Sequence, residues 1–355
     1  FLFGLGFALQ FLRAQARGRR VVPVYIRRMF VLFLIGLGHA VLVWRGDVLM
    51  VYAVMGFFLI PFRSRSAKIL LSFAVLALAA EFFVGISENP FLTRDLVPRV
   101  ADPELEQETL LQEALAHREI SDAYRELVVA TKFGTYREAI AARFEVWRLG
   151  HRYTFNYIWF SSFAMFLVGM FAGRSGLMRS PPARSHLIRW VMWVSLPVWL
   201  GLGVIVTYGP QVLGPLYHKI HWKWLYLAWE LHSPAGSLFY ISAILSLLAL
   251  RPAVIAKLAP LASVGRMALT NYLMQSVAGT LLYYGYGLGL HLDLGKTEGL
   301  LLALAVFAAQ VALSHWWLGH FRFGPFEWLW RSLTYGRLQP MRRVKSRDTI
   351  PISIP

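Results

Sequence analysis

His39 and Asp47 are the residues of this chain whose types and spacing most directly suggest acid–base chemistry. His39 lies in the apolar run Gly36–Ala40, and Arg45 precedes Asp47 in the very short segment before the next apolar run. A turn this short brings the three side chains within reach of each other. In one interpretation His39 is a general base whose ring Asp47 orients, because imidazole exchanges a proton near neutral pH. In the other, His39 bridges two helices, Asp47 caps the second one and Arg45 anchors at lipid headgroups.

Amide side chains form a second candidate group in two later apolar runs. Asn271, Gln275 and Gly279 recur at i, i+4 and i+8, which puts them on one face of a helix, and we expect that face to be interior. Gln310 lies near the middle of the last run, beside Ser314. Amide side chains form hydrogen bonds between helices in membranes, so helix packing alone explains Asn271, Gln275 and Gln310. Contact with a substrate in a cavity is the alternative.

Two acids, Glu81 and Glu230, lie inside apolar runs, where a charge needs a partner or a function. Glu230 and His232 lie together, with Pro234 as an expected kink that makes their helix discontinuous. An ionisable side chain within the bilayer costs a few kcal/mol or more. A substrate or proton role for Glu230 therefore weighs as much as a packing role, and Glu81 raises the same question.

The composition excludes a soluble enzyme and a disulfide-bonded scaffold. Of 355 residues, 57% are apolar and only 15% are charged, where soluble domains have about 25% charged residues. The net charge of +17 invites a nucleic-acid partner, but the apolar fraction opposes it, so we expect none. The chain has no cysteine, and His218 and His221 lack the acidic or thiol company that a metal site needs, so we expect no metal.

The apolar runs predict an all-α, polytopic transmembrane helix bundle. A membrane-spanning helix needs about 20 mostly apolar residues, because backbone groups must be satisfied internally in lipid. The chain starts at Phe1 inside an apolar run, and we expect an earlier segment to be missing. Nine crossings are predicted, at residues 1–12, 29–44, 47–62, 68–86, 153–173, 190–209, 224–250, 267–290 and 299–320.

Lys and Arg divide the connecting segments into two alternating classes, as the positive-inside rule predicts for a membrane protein. The segments between the predicted spans are alternately rich and poor in these bases along the chain. We therefore expect a cytoplasmic C-terminus. The rich segments are 13–28, 63–68, 174–189, 251–266 and the tail, and the poor ones are 45–47, 87–152, 210–223 and 291–298.

Segment 87–152 is long and acidic, and its pattern predicts an extracytoplasmic insert of two amphipathic helices. Asp102-Pro103 is a start signal for the first helix, and Thr135 with Glu138 forms a capping box for the second. A hairpin lying at the lipid interface is one interpretation, and a lid over a substrate site is the other. The predicted organisation is an N-terminal membrane region (residues 1–86), the insert, a C-terminal membrane region (residues 153–320) and a basic tail (residues 321–355).

Several stretches resemble the bacterial membrane family known as domain of unknown function 418, or YeiB-like proteins. The family's usual opening segment, of the Asp-Ala-Leu-Arg-Gly type, is absent, and we expect the chain to start after it. The likeness spans nearly the whole chain. It rests on residues 2–7, Arg27-Arg28, Gly36, His39, Gly46-Asp47, Tyr52-Ala53, 134–138, 265–276, 324–331 and Thr334-Tyr335.

The resemblance implies a multi-pass protein of the bacterial inner membrane, distantly related to membrane acyltransferases and to heparan-glucosaminide acetyltransferase-like proteins. Such relatives move an acyl group from a cytoplasmic thioester to an acceptor. By this analogy, acyl-coenzyme A is the donor and no cofactor is bound covalently. His39 and Asp47 are then the expected catalytic residues. Expected substrate contacts are Arg45, Tyr52, Glu230, His232, Asn271, Gln275 and Gln310, and expected donor contacts are Arg27, Arg28, Glu327 and Arg331.

Two other classes of function remain open on the sequence. A transporter or lipid-handling protein would use Glu230 and the polar helix faces without catalysis. A sensor or partner subunit would use the insert as its outer contact. Membrane lipids are expected partners in every case, and the oligomeric state stays open, a homodimer included.

Overall fold

A computed structural model describes residues 1–18, 21–44, 46–88, 118–119, 121–153, 158–177, 185–220, 222–251, 253–290 and 293–343. These residues form helices joined by turns, with one isolated antiparallel bridge between Phe321 and Arg342. The predicted all-α class is confirmed. The helices are α1 Leu2–Gln15, α2 Val22–Leu42, α3 Leu49–Phe58, α4 Ala67–Glu88, α5 121–133, α6 Tyr136–Tyr153, α7 Ile158–Arg174, α8 Ser185–Leu213, α9 Trp222–Leu250, α10 Ala253–Lys257, α11 Ala259–Arg266, α12 Ala268–Tyr283, α13 Lys296–His320 and α14 Pro325–Tyr335.

The helices identify a multi-pass membrane protein. Helices α2, α4, α8, α9 and α13 each contain a stretch that is long and apolar enough to cross a bilayer. The other four predicted spans coincide with the shorter helices α1, α3, α7 and α12, so all nine predicted spans contain a helix. Several boundaries differ from the prediction: α2 begins at Val22 instead of residue 29, α8 begins at Ser185 instead of residue 190, and two spans end early. A 3₁₀ turn at Ile60–Phe62 ends the third span early, and α12 ends at Tyr283 because residues 284–290 fold back as a turn.

The core of the bundle lies where α1, α2, α3, α4, α7 and α12 meet. Aromatic rings fill much of it. Phe3 stacks on Phe166 with ring centroids 4.6 Å apart, and Phe7 meets Tyr25 edge-on at 4.7 Å. The Tyr25 hydroxyl is satisfied by the carbonyl oxygen of Gly56 at 3.0 Å, which ties α2 to α3.

Glycines bring α1 and α7 into backbone contact. A Cβ atom on Gly4 would overlap the backbone of Phe166, and one on Gly169 would overlap the backbone of Phe1. Small residues at such crossings let membrane helices pack by van der Waals contact, since the hydrophobic effect does not drive association within lipid. The glycines thus fix the distance between these two helices.

The expected discontinuity in the helix that carries Glu230 was wrong. Helix α9 continues through Pro234 without a break. The irregular point lies in the preceding helix instead, where Tyr208 departs from helical geometry two residues before Pro210. A proline inside a helix lacks the N–H that the preceding turn would bond, and its ring crowds that turn, which is a physical reason for the distortion at this point.

The described portion of the insert is a helical hairpin, α5 and α6, and the predicted capping box at its turn is confirmed. The Thr135 backbone N–H and hydroxyl both donate to the Glu138 carboxylate, at 2.6 and 2.9 Å. These two hydrogen bonds lower the pKa of Glu138 and keep it ionised at the start of α6. The start signal at Asp102-Pro103 lies outside the described residues.

The insert packs against the bundle at two places. At the first, the Tyr136 hydroxyl donates to the carbonyl oxygen of Leu42 at the end of α2, at 2.9 Å. At the second, the turn after α12 donates its Gly285 N–H to the Thr131 carbonyl at 2.7 Å, and Lys132 donates to the Gly289 carbonyl at 3.0 Å. The hairpin therefore covers the ends of α2 and α12.

Candidate functional site

His39 and Asp47 form a buried pair at the junction of α2 and α3. The Nδ1 atom of His39 lies 2.7 Å from Oδ2 of Asp47, and their side chains are 2% and 1% exposed. The other carboxylate oxygen accepts the Met50 N–H at 2.8 Å, in the first turn of α3. Asp47 thus caps α3 and orients His39 at the same time, so the two roles that the sequence left open are compatible.

Gly36 allows this pair to form. A Cβ atom at Gly36 would lie 2.7 Å from the Met50 nitrogen and 2.8 Å from Oδ1 of Asp47. The absent side chain lets the start of α3 approach α2 one helical turn before His39. The chain segment from His39 to Asp47 is short, so this approach sets the distance between the two side chains.

Tyr272 of α12 completes the cluster, and sequence reasoning gave it no role. Its hydroxyl donates to Oδ2 of Asp47 at 3.3 Å and accepts the Val48 N–H at 3.2 Å. Its ring centroid lies 5.1 Å from that of His39. The signal in the sequence was its position beside Asn271 in a stretch that resembled the family, but the partner is more than 200 residues away in the chain.

Nε2 of His39 is the candidate proton-transfer atom of the cluster. A carboxylate accepts hydrogen bonds, so Nδ1 is the nitrogen that donates to Asp47, and in the neutral form of the ring Nε2 carries the lone pair. Nε2 is buried and has no hydrogen-bond partner among the described residues. A buried polar atom without a partner is rare in folded proteins and calls for an explanation. A general base awaiting a hydroxyl group is such an explanation.

An apolar groove lies beside His39, between α2 and α12. Its volume is about 530 Å³, and His39 is its one ionisable lining residue among those described. Much of the lining is apolar side chain that is open to the outside of the bundle, which in a membrane protein is where lipid lies. The exposed lining residues include Leu34, Leu42, Met274, Val277 and Leu281.

A second cavity of about 580 Å³ lies on the other face of α12, beneath the insert. Tyr272 and Gln275 contribute from α12, and the insert contributes Thr131 and Arg143. Tyr272 therefore lines this cavity with its side chain while its hydroxyl contacts Asp47. The insert acts as the roof of this space, which is the arrangement a lid would have.

The amides on α12 and α13 bond to each other. Asn271 donates to the Ser314 hydroxyl at 2.9 Å, and Gln310 donates to the Asn271 carbonyl oxygen at 2.9 Å. Gln275 donates to the Gln310 side chain at 2.8 Å. Asn271 and Gln310 are buried, whereas Gln275 is exposed toward the second cavity, so the interior face expected for α12 includes only some of this set.

The expected substrate contacts outside this cluster lie in other regions of the bundle. Tyr52 packs edge-on against Phe166 at 5.1 Å and lines a separate cavity of about 570 Å³. His232 lies beside Trp199 of α8, with ring centroids 6.3 Å apart. Glu230 is buried against Glu81 of α4, and Arg45 lies outside the described residues. No group of acids and histidines in the described portion of the chain has the geometry to hold a metal ion.

The four residues expected to contact a donor hold α14 against the bundle. Glu327 accepts the Thr270 N–H at 3.0 Å and the Thr270 hydroxyl at 2.5 Å, which caps α12. The Arg28 guanidinium lies 4.2 Å from the Trp330 ring centroid. Arg27 donates to the Thr334 carbonyl at 3.3 Å, and Arg331 lies over the Phe323 ring.

We expect Glu327→Ala to destabilise the protein whether or not a donor binds nearby. The change removes a charged acceptor from two hydrogen bonds at the start of α12, which is worth about 2 kcal/mol. The melting temperature in detergent measures this, and the exposed Glu126→Ala is the matched control. A normal melting temperature with weakened acyl-coenzyme A binding would instead assign Glu327 to the donor.

Comparisons with known proteins identify relatives over nearly the full chain. The family model described as "Protein of unknown function (DUF418)" matches residues 172–337. The Bacillus subtilis protein YxaH is 34% identical over 97% of this chain and 79% of its own length. YeiB of Escherichia coli is 29% identical over 98% of this chain and 83% of its own length. No solved structure matches.

Proposed function

We propose that this chain, which belongs to the YeiB-like DUF418 family, is a membrane-embedded acyltransferase that takes an acyl group from a cytoplasmic thioester and passes it to an acceptor near the outer face. The proposal includes placement in the bacterial inner membrane with the C-terminus in the cytoplasm. The observation that carries it is the buried, unpartnered Nε2 of His39, held by Asp47 beside an apolar groove.

The reaction proposed for this site is a transfer between a thioester and a hydroxyl group. Nε2 of His39 accepts the acceptor's hydroxyl proton while the oxygen attacks the carbonyl carbon of the thioester. The carbon–sulfur bond then breaks, and the leaving thiolate takes the proton from Nε2 to become a thiol. The negative charge of Asp47 stabilises the imidazolium that exists between these steps.

The apolar groove supports an acyl substrate. An apolar groove of about 530 Å³ that opens to lipid can hold a fatty chain without desolvating polar groups. His39 at its wall would then meet the carbonyl end of that chain. The exposed leucines and valines at the groove would let the chain enter sideways from lipid.

The donor is proposed to bind in a cavity that none of the four expected donor contacts lines. A space of about 450 Å³ near the base-rich end of α1 is lined by Gln15, Arg63, Ser64 and Arg174. Arginines bind phosphate oxygens well, and a coenzyme A donor carries several phosphates. Arg27, Arg28 and Arg331 remain candidates, although each already has a contact within the chain.

Thiol release tests the transfer directly. The chain contains no cysteine, so a thiol reagent reports only the released product. Purified protein in mixed micelles with bacterial lipid extract is incubated with acetyl-coenzyme A or palmitoyl-coenzyme A. We expect thiol release that depends on protein and lipid together. No release and no donor binding, with either chain length, would contradict the proposal.

A proton-coupled transporter is the second candidate, and the buried acid pair favours it. Glu81 and Glu230 are 4% and 8% exposed, and their carboxyl groups lie beside each other. A proton on one of the two acids would let that acid donate a hydrogen bond to the other. Intramembrane acids often belong to proton relays.

We expect Glu230→Gln to abolish proton movement if this second function is the correct one. Glutamine keeps the shape and one hydrogen bond but cannot carry the proton. Vesicles loaded with a pH-sensitive dye measure proton influx under a membrane potential, and Glu126→Gln is the matched control. Influx equal in wild type, Glu230→Gln and empty vesicles would exclude the transporter.

A further inference from the structure

Arg143 of α6 is a fully buried cation with no counter-ion in the described part of the chain. It is 1% exposed and is the largest of the fully buried side chains. Its Nη1 donates to the Val41 carbonyl oxygen at 3.3 Å, at the end of α2. Its Nη2 has no hydrogen-bond partner, and no carboxylate lies within ion-pair distance, among the residues that the structure describes.

A buried arginine without a paired acid is energetically unfavourable unless a ligand supplies the negative charge. Arginine keeps its charge at all accessible pH values, so it cannot relieve its burial by losing a proton. Arginine is almost never fully buried unless it is paired with an acid. The contacts with one carbonyl oxygen and with the face of Tyr284, at 5.8 Å, leave most of the charge uncompensated.

Arg143 lines the cavity beneath the insert, and this cavity offers further groups that bind anions. Polar side chains from α12 line it as well: Tyr272, Gln275, Ser276 and Tyr283. The hydroxyl protons of Tyr272 and Ser276 go to Asp47 and to the Tyr272 carbonyl oxygen, so the donors left for a ligand are the second amide N–H of Gln275 and the Tyr283 hydroxyl. Hydrogen-bond donors beside an arginine favour a bound phosphate group. The volume of about 580 Å³ is large enough for a headgroup-sized ligand.

We propose that Arg143 binds the phosphate group of an outer-facing ligand in the cavity beneath the insert. Nη2 is covered by neighbouring atoms, so binding includes a small rotation of the guanidinium toward the cavity. The phosphate can belong to a lipid headgroup or to a soluble phosphate ester, because both present the same oxygens. A further step is that this ligand is the acyl acceptor, and only this step rests on the proposed function. Tyr272 supports it, because its side chain lines the cavity and its hydroxyl donates to Asp47.

A purely structural role for Arg143 makes a different prediction. The hydrogen bond to Val41 and the position at the end of α2 would stabilise that helix terminus. That role uses one of the five N–H donors of the guanidinium. It predicts that removal of Arg143 lowers stability and leaves the affinity for every ligand unchanged.

Binding is measured on the full chain in detergent, without a thioester, as the rise in melting temperature with ligand concentration. The probes are phosphatidylglycerol, diacylglycerol with the same acyl chains, and glycerol 3-phosphate. We expect phosphatidylglycerol to bind about tenfold or more tightly than diacylglycerol. Arg143→Gln should remove this preference, and Arg143→Lys should keep some of it. Arg137→Gln, which removes an exposed arginine from the same helix, should keep all of it.

The glycerol 3-phosphate measurement separates the two sources of phosphate. Competition by glycerol 3-phosphate assigns the site to a soluble ester or a headgroup alone, and its failure to compete assigns the site to an intact lipid. Equal affinity of the wild type for the two lipids, or an unchanged preference in Arg143→Gln, would overturn the proposal. The binding assay contains no thioester, so its outcome is independent of the thiol-release assay. Phosphate-dependent binding here, together with no thiol release in that separate assay, would contradict the transfer reaction and leave the phosphate site intact.

Discussion

His39→Ala is expected to lower the rate of acyl transfer by about 10²–10⁴-fold, the usual contribution of a general base. The substitution removes a buried nitrogen that has no hydrogen-bond partner among the described residues, on a side chain that lines the groove. Thiol release from acyl-coenzyme A measures the rate. His315→Ala is the matched control, because His315 is exposed on α13.

Asp47→Asn separates catalysis from folding in the same cluster. Asparagine keeps an oxygen that accepts the Met50 N–H, so α3 remains capped. Its NH2 group then replaces the acceptor Oδ2, so His39 must change tautomer to pair with it, and we expect a modest fall in the melting temperature. Asparagine also lacks the charge that stabilises imidazolium, so the rate should fall. A normal rate in both His39→Ala and Asp47→Asn would show that the pair only joins two helices.

Gly4→Ala should destabilise the bundle, although alanine is the better helix former. The new Cβ would overlap the backbone of Phe166, so α1 and α7 must separate. Overpacking of this kind costs about 1–3 kcal/mol, which exceeds the gain of roughly 1 kcal/mol from the higher helix propensity of alanine. The melting temperature in detergent measures the difference, and Gly169→Ala should act in the same direction.

Gly6→Ala is the control on the same helix. A Cβ atom there meets nothing within 4 Å, so the propensity gain should stand alone and the protein should be as stable as the wild type or more stable. Equal effects of Gly4→Ala and Gly6→Ala would mean that α1 and α7 do not touch as described.

The helices could be predicted from the sequence because their signals are local. Apolar runs, the Thr135–Glu138 capping box and the short segment between His39 and Asp47 each lie within a few residues of chain. The sequence therefore predicted the secondary structure, the capping box and the proximity of the two catalytic candidates. The exact ends of α3 and α12 were not predicted, because α3 passes directly into a 3₁₀ turn and the turn after α12 bonds to the distant Thr131, and periodicity reports neither.

The rest of the site is built from contacts that are distant in the chain. Tyr272 meets Asp47, and Arg143 meets Val41, between segments that no periodic pattern relates. Glu327 resembles a free acid in a basic region, yet it caps α12. Glu81 and Glu230 were each noticeable as acids in apolar runs, but only the packing of α4 against α9 pairs them.

The insert is attached to α2 through main-chain acceptors, the carbonyl oxygens of Val41 and Leu42. A carbonyl oxygen is the same whichever side chain its residue carries. We therefore expect natural variation to be tolerated at positions 41 and 42 and resisted at Tyr136 and Arg143, which supply the donors. Selection would then act on the insert, which supplies the donors. The membrane-facing side chains of α2 could therefore differ among relatives while the insert stays attached above the cavity.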